Sequence, residues 1–369
     1  MNCTPRLLHG LILGVPLLFL GCIKNNSGAG ATNGTVLYLY DAAASDVLVW
    51  KDMDAAYAAA TPPAPNLTLT NAALSRSAAL AWGGLAMDTQ RNHLYLLYED
   101  GVVIRIDQVR SQTGAITSNN VVLFTLDSAN RLSGSVFGQV ALDPQSNILY
   151  ACESGSSGTS RVWTVTQPDA KANSSIASFT TVSDDEAGTG HLGVAAAQSS
   201  VYSYFAGGNQ VVSGISTYNG PRLRKGTSSA FGANFVIIGD TTGLDMSSAG
   251  TLAVDTVNSR VFVGLDTGST SANSPTGGAP IVAFQTGQFG LSPNQKPSMW
   301  LGTLATGSIK ALSHAGTKAW LVALQSSGGV GIQTILVWKA PAAGVVDQPM
   351  AMGPSTAQFR GATLDGTGS

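Results

Sequence analysis

Leu85-Ala86-Met87-Asp88, followed by Asn92-His93-Leu94-Tyr95, decides the fold of this chain because it returns. It comes back as Val140-Ala141-Leu142-Asp143 with Asn147-Ile148-Leu149-Tyr150, and as Leu252-Ala253-Val254-Asp255 with Ser259-Arg260-Val261-Phe262. In all three an aromatic stands seven positions after the Asp. Two looser copies are Val194-Ala195-Ala196 with Val201-Tyr202, and Ala311-Leu312-Ser313 with Ala319-Trp320. From Asp88 through Asp143, Ala196 and Asp255 to Ser313 the intervals are 55, 53, 59 and 58 residues. A steady period of this size marks a repeat architecture, in which no unit buries its apolar face alone.

Each copy reads as four short strands. The first complete one divides into 83–88, 92–98, 102–108 and 119–127, where β-branched and aromatic residues run between Gly, Asp, Asn and Ser turns. No ten-residue amphipathic stripe competes. Ala55 to Ala60 offers a single helical turn, which Pro62, Pro63 and Pro65 stop. The sixth copy is split. Gly361-Ala362-Thr363-Leu364-Asp365 lacks its partner strand, and Thr35-Val36-Leu37-Tyr38-Leu39-Tyr40-Asp41 lacks its first. Joined, they complete one repeat. The expectation is an all-β, six-bladed β-propeller of four-stranded blades over residues 35–369, closed by the C-terminal strand joining the N-terminal ones. Closure protects sheet edges that would otherwise pair with other chains.

Tyr38-Leu39-Tyr40-Asp41 and Tyr150-Ala151-Cys152-Glu153 resemble the second strands of six-bladed propellers of the NHL, YWTD and TolB-like groups. The resemblance implies six blades around a central channel. It leaves activity open, because those groups include binders, scaffolds and lactonases.

The first residues read as an address. Arg6 precedes an apolar stretch from Leu7 to Leu20, too short to span a bilayer and suited to a signal peptide. It ends Phe19-Leu20-Gly21-Cys22, which resembles a bacterial lipobox with Phe19 where Leu is usual. That resemblance implies a signal over residues 1–21, lipidation of Cys22, a membrane anchor and, from Ile23, the outer membrane of a bacterial cell envelope. An ordinary secretory signal with an incidental Cys is the other reading. Residues 22–34 make a Gly/Asn/Ser-rich tether. Cys3 leaves with the signal, and Cys152 sits in an apolar strand.

Of 369 residues, 11% are charged and the net charge is −2. Nucleic-acid binding needs a basic excess that is missing here, and a monomer is expected. In a propeller the innermost strands run from one end, here the top, to the bottom. Sorting the loops on that basis puts a net −8 at the top and +2 at the bottom, where the tether also leaves. Pro221-Arg222-Leu223-Arg224-Lys225 falls in a bottom turn on this reading, near anionic headgroups.

The residue closing the second strand is Asp41, Glu99, Glu153 and Asp266 in four blades, Gln325 in another and Ala206 in the last. Such a ring around the upper channel offers the hard oxygen ligands that suit Ca²⁺. The same acids equally serve to lock the following turns. Trp82, Arg360 and His191, the last after Asp184-Asp185-Glu186, are the other top-end candidates for partner contact. No H-E-x-x-H, C-x-x-C or G-x-S-x-G occurs. The leading expectation is therefore a binding scaffold for a protein or carbohydrate at an acidic top face, with no catalytic residue assigned. A Ca²⁺-dependent lactonase-like hydrolase and an envelope assembly factor are the alternatives.

Overall fold

The computed structural model describes residues 34–367, apart from 60–62, 157–158, 179, 183–190, 206–209, 213–214, 219–221, 239–248, 270–278, 291–294, 296, 302–307, 316–319, 327–332 and 342–357. Besides a separate two-stranded hairpin of Gln210–Val212 and Ile215–Tyr218, its strands form six radial sheets. The innermost strand of each packs against the innermost strands of both neighbours, so the sheets close into a ring.

Blade 1 runs, from the axis outward, through Phe359–Asp365, Val36–Asp41, Asp46–Trp50 and Leu67–Leu69. Blade 2 follows with Leu80–Asp88, His93–Tyr98, Val102–Asp107 and Val121–Leu126. Blade 3 has Val136–Asp143, Ile148–Ser154, Ser160–Thr166 and the two-residue Thr180–Thr181. Blade 4 has His191–Ala197, Ser200–Phe205, Arg222–Gly226 and Phe231–Ile238. Blade 5 has Ala249–Asp255, Arg260–Ser269, Ala279–Gln285 and Met299–Leu301. In blade 6 the described strands are Ser308–His314, Trp320–Ser326 and Gln333–Lys339.

The ring closes as the split repeat requires. Val36 pairs with Asp365, Leu37 with Leu364 and Tyr40 with Gly361, in antiparallel register. Arg110 of blade 2 ion-pairs with Asp365 and tacks the closing strand to its neighbour. The pairing also fixes where the chain enters: Val36 lies at the end of the innermost strand, at the bottom.

The core is divided into six slabs, one between each pair of adjacent blades. Period-two alternation makes them. Tyr38 and Tyr40 face blade 2, while Leu37 and Leu39 on the same strand face blade 6. A strand buried on both faces reads as one continuous apolar run, which is why Val-Leu-Tyr-Leu-Tyr carries no polar residue.

The repeated aromatics are the cross-strand partners of a small residue on the innermost strand. Tyr38 lies opposite Thr363, Tyr95 opposite Ala86, Tyr150 opposite Ala141, Tyr202 opposite Ala195 and Phe262 opposite Ala253. A small partner leaves room for the ring. Blade 6 corrects the sequence register. Ser313 pairs with Val322, so Val322 holds the aromatic position there and Trp320 lies outside it. In blade 4 the position of the repeated Asp is taken by Ala197, one residue after Ala196.

The repeated aspartates lock turns at the bottom. Asp88, Asp143, Asp255 and Asp365 are all buried. Asp88 accepts from the N–H groups of Gln90 and Arg91, and Asp255 from those of Val257 and Asn258.

Two features depart from expectation. Ser175–Ala177, in the stretch after the third strand of blade 3, adds a parallel fifth strand to blade 2. Arg222, Leu223, Arg224 and Lys225 do not form a basic turn. They lie in the third strand of blade 4, paired with Val201–Phe205, and both arginines are fully buried. Their alternation around Leu223 is a strand period, and it removes the expected contact of this cluster with headgroups.

Candidate functional site

All six innermost strands are irregular at one level of the channel. Pairing slips between Leu80 and Leu85, Phe137 and Val140, His191 and Gly193, Ala249 and Thr251, and Ile309 and Ala311, and in blade 1 opposite Tyr40 and Asp41. A bulge re-aims a side chain and ends regular pairing. This ring of bulges divides the axis into a top end and a bottom end.

At the top, three candidates come together. The Arg360 guanidinium lies 4.8 Å from the ring centroid of Trp82, donates to Glu99 at 2.7 Å and to the Leu80 carbonyl at 3.1 Å. Trp82 is half-buried, and the Arg360 and Glu99 side chains remain 26% and 34% exposed. The motif recurs nearby. Arg76 stacks on Tyr98 and pairs with Asp100, and Arg161 stacks on Trp163 and pairs with Glu153. Each pair holds a cation on an aromatic face with a carboxylate at its edge.

Two other ring members, Asp41 and Glu153, are spent inside their own blades. Asp41 accepts from the N–H groups of Ala43 and Gln358. Glu153 is fully buried and accepts from the Leu132 N–H, the Ser135 hydroxyl, Arg161 and the Trp163 indole. Burial pushes its carboxyl up, but these hydrogen bonds together outweigh burial and hold it below the ordinary glutamate value. Gln325 is buried in blade 6. Asp184, Asp185 and Glu186 lie outside the described residues, as do the side chains of Asp266 and His191. Among the described residues no three His, Cys, Asp or Glu side chains converge on a point where a metal ion would sit.

The expected charge polarity divides accordingly. All four top arginines are ion-paired, Arg131 approaching Glu153 at 3.7 Å. Half of the acids assigned to the top end have side chains outside the described residues. At the bottom, Arg91, Arg110, Arg260 and Lys339 pair with Asp88, Asp365, Asp255 and Asp54.

Two residues to which the sequence assigns no role emerge at the axis; one of them, His314, reads in sequence as a bottom-turn residue and instead ends the innermost strand Ser308–His314. Gln139, beside the blade 3 bulge, reaches across the channel. Its amide donates to the Leu252 carbonyl at 2.6 Å and accepts from the N–H groups of Leu252 and Val194 at 2.9 and 3.2 Å. It therefore ties blade 3 to blades 4 and 5. Gly83, at φ +70°, leaves it room, since a Cβ there would meet its side chain at 3.0 Å. The signal was a lone amide in an apolar innermost strand.

His314 is the second. Its side chain is 1% exposed, stacks on Phe262 and lies 3.6 Å from the Asp255 carboxylate. Burial pushes its pKa down to about 4, against the pull of Asp255 and with the repulsion of Arg260. The ring is neutral at neutral pH, so the contact with Asp255 is not an ion pair there. Between the folded value and the unfolded one near 6.5, the unfolded state binds more protons. Stability therefore falls as pH drops through that window, by on the order of 3 kcal/mol for this group. A His314→Phe variant should show a flatter pH dependence in urea unfolding. Equal slopes in the two proteins would rule this out.

Comparison with known proteins assigns no family to the chain. No family model matches the chain, and no curated protein does. Dihydro-heme d1 dehydrogenase NirN is similar at 11% identity and TM-score 0.40, over 88% of this chain. This chain spans 56% of that protein, and only 21% of Raptor from Chaetomium thermophilum, which matches with TM-score 0.44, 11% identity and 79% coverage here. TolB from Acinetobacter baumannii matches with TM-score 0.46 and 9% identity, over 91% of this chain and 67% of TolB. This chain is a six-bladed propeller.

Proposed function

We propose that the chain is an exported, lipid-anchored binding scaffold that presents the top end of its propeller to a protein or carbohydrate ligand. The supporting observation is the Trp82–Arg360–Glu99 cluster. A half-buried indole and a stacked, ion-paired guanidinium are rigid before any ligand arrives, and Trp and Arg dominate binding hot spots. The bottom entry of the chain at Val36 agrees with this orientation, because a tether from Cys22 then leaves the top end facing away from the membrane. The hydrolase reading lacks comparable support, since Asp41 and Glu153 are consumed by turns and by their own blades.

The test has two arms. Cys22→Ala should move the protein from the membrane fraction to the soluble one and abolish incorporation of a labelled fatty acid. The soluble domain is then screened against immobilised glycans and envelope-derived peptides. Trp82→Ala and Arg360→Ala should each weaken whatever binds by about ten-fold or more, whereas Lys339→Ala at the bottom should not. Binding that ignores Trp82 and Arg360, or that follows Lys339, overturns the assignment.

A further inference from the structure

The bottom end of the axis holds a concavity of about 350 Å³, bounded by the final residues of all six innermost strands. Gln139 closes it from above, because its amide is tied to Val194 and Leu252. Met87, Leu142, Val254 and Leu364 form its walls. Ala86, Ala141 and Ala253, the small partners of the repeated aromatics, line the same space. At the rim stand the exposed amides Gln90, Gln145 and Gln198, each in the turn after its strand.

The cup has little charge to offer. Among its described lining residues, only Asp143 and His314 titrate. Asp143 is 1% exposed, and its oxygens already accept from the Gln145 N–H, the Ser146 hydroxyl and the Ser199 N–H. The His314 side chain is 1% exposed and points its ring at Phe262. Arg91 and Arg110 donate to the lining residues Pro144 and Thr89, but each is already ion-paired, with Asp88 and Asp365, so a charged ligand entering here loses hydration and meets no unpaired counter-ion, which is unfavourable. Apolar walls with an uncharged amide rim favour a neutral molecule instead. The volume lies at the lower end of small-molecule sites, which run from about 300 to 1,000 Å³.

We propose that this cup binds a small uncharged molecule, with an apolar body seated against Met87, Leu142 and Val254 and a hydroxyl or amide edge held by the rim glutamines. This site is separate from the top-end cluster and does not depend on it. It opens on the side where the chain enters, at Val36 and Asp365.

Two probes with one skeleton test the charge rule. N-phenyl-1-naphthylamine is neutral, and 8-anilino-1-naphthalenesulfonate adds an anionic group. The neutral probe should bind the folded protein one-to-one, about ten-fold or more tighter than the sulfonate. Ala196→Phe, at a half-buried wall position, should weaken the neutral probe by a similar factor with an unchanged circular dichroism spectrum. The unsubstituted protein gives an independent readout. Light-driven labelling by uncharged benzophenone, which favours methionine, should mark Met87. Absence of neutral-probe binding, equal or tighter sulfonate binding, or labelling confined to residues outside the cup would each overturn the proposal.

Discussion

Deleting the last strand, Phe359–Asp365, should abolish cooperative folding, although it removes only seven residues from the chain. The strand is the innermost element of blade 1 and the only one that hydrogen-bonds Val36–Asp41 from the axis side. Its loss strips cover from two slabs at once. Phe359, Ala362 and Leu364 belong to the slab against blade 6, and a Cβ-sized gap at Gly361 is filled from the other side by Leu85 and Leu80. It also leaves Arg110 without Asp365. A subtler version is Leu364→Ala, expected to lower stability by about 3 kcal/mol through lost burial and a residual cavity. Urea denaturation and limited proteolysis report both. A truncated protein that keeps a sharp unfolding transition and protease resistance would show that the ring does not need its closing strand, and the six-blade argument would lose its central support.

Glu153→Ala is expected to be nearly as damaging. The carboxylate is fully buried and serves four donors from two segments, Leu132 and Ser135 in the loop before blade 3's innermost strand and Arg161 and Trp163 in its third strand. Removing it leaves Arg161 stacked on Trp163 without its counter-ion, with Arg131 close by. Truncating one partner of a buried ion pair costs about 3–5 kcal/mol, and because the Arg161 side chain left behind is 23% exposed the loss here should lie at the lower end of that range. Glu153→Gln keeps the shape and should fall between the two. Since the folded carboxyl is held below its unfolded value, its contribution is present above the ordinary glutamate pKa and is lost as pH falls through the folded one. Urea midpoints at neutral pH and at pH near 4 measure both effects. A loss below about 1 kcal/mol for Glu153→Ala would mean that water, and not the carboxylate, satisfies the surrounding donors.

The two predictions differ in how visible their residues were. The closing strand was legible because a repeat with one missing half at each end has a single completion. Glu153 was legible as a strand-closing acid, but its use was not. An acid at that position serves equally well in a ring of ligands or in a local network, and the choice depends on which donors lie within three ångströms. Arg222 and Arg224 show the same limit. In sequence they form a basic cluster that reads as a bottom turn. In blade 4 a strand partner and its packing bury both.

By itself the sequence determined the period, the strand count of a blade and the split repeat. All of these follow from local alternation and from the turns that interrupt it. Only the tertiary structure decided which polar groups meet. Gln139 bonds to residues 55 and 113 positions away, and Trp82 meets a guanidinium from the far end of the chain. Such contacts depend on the curvature that brings six blades around one axis, and no local pattern encodes it.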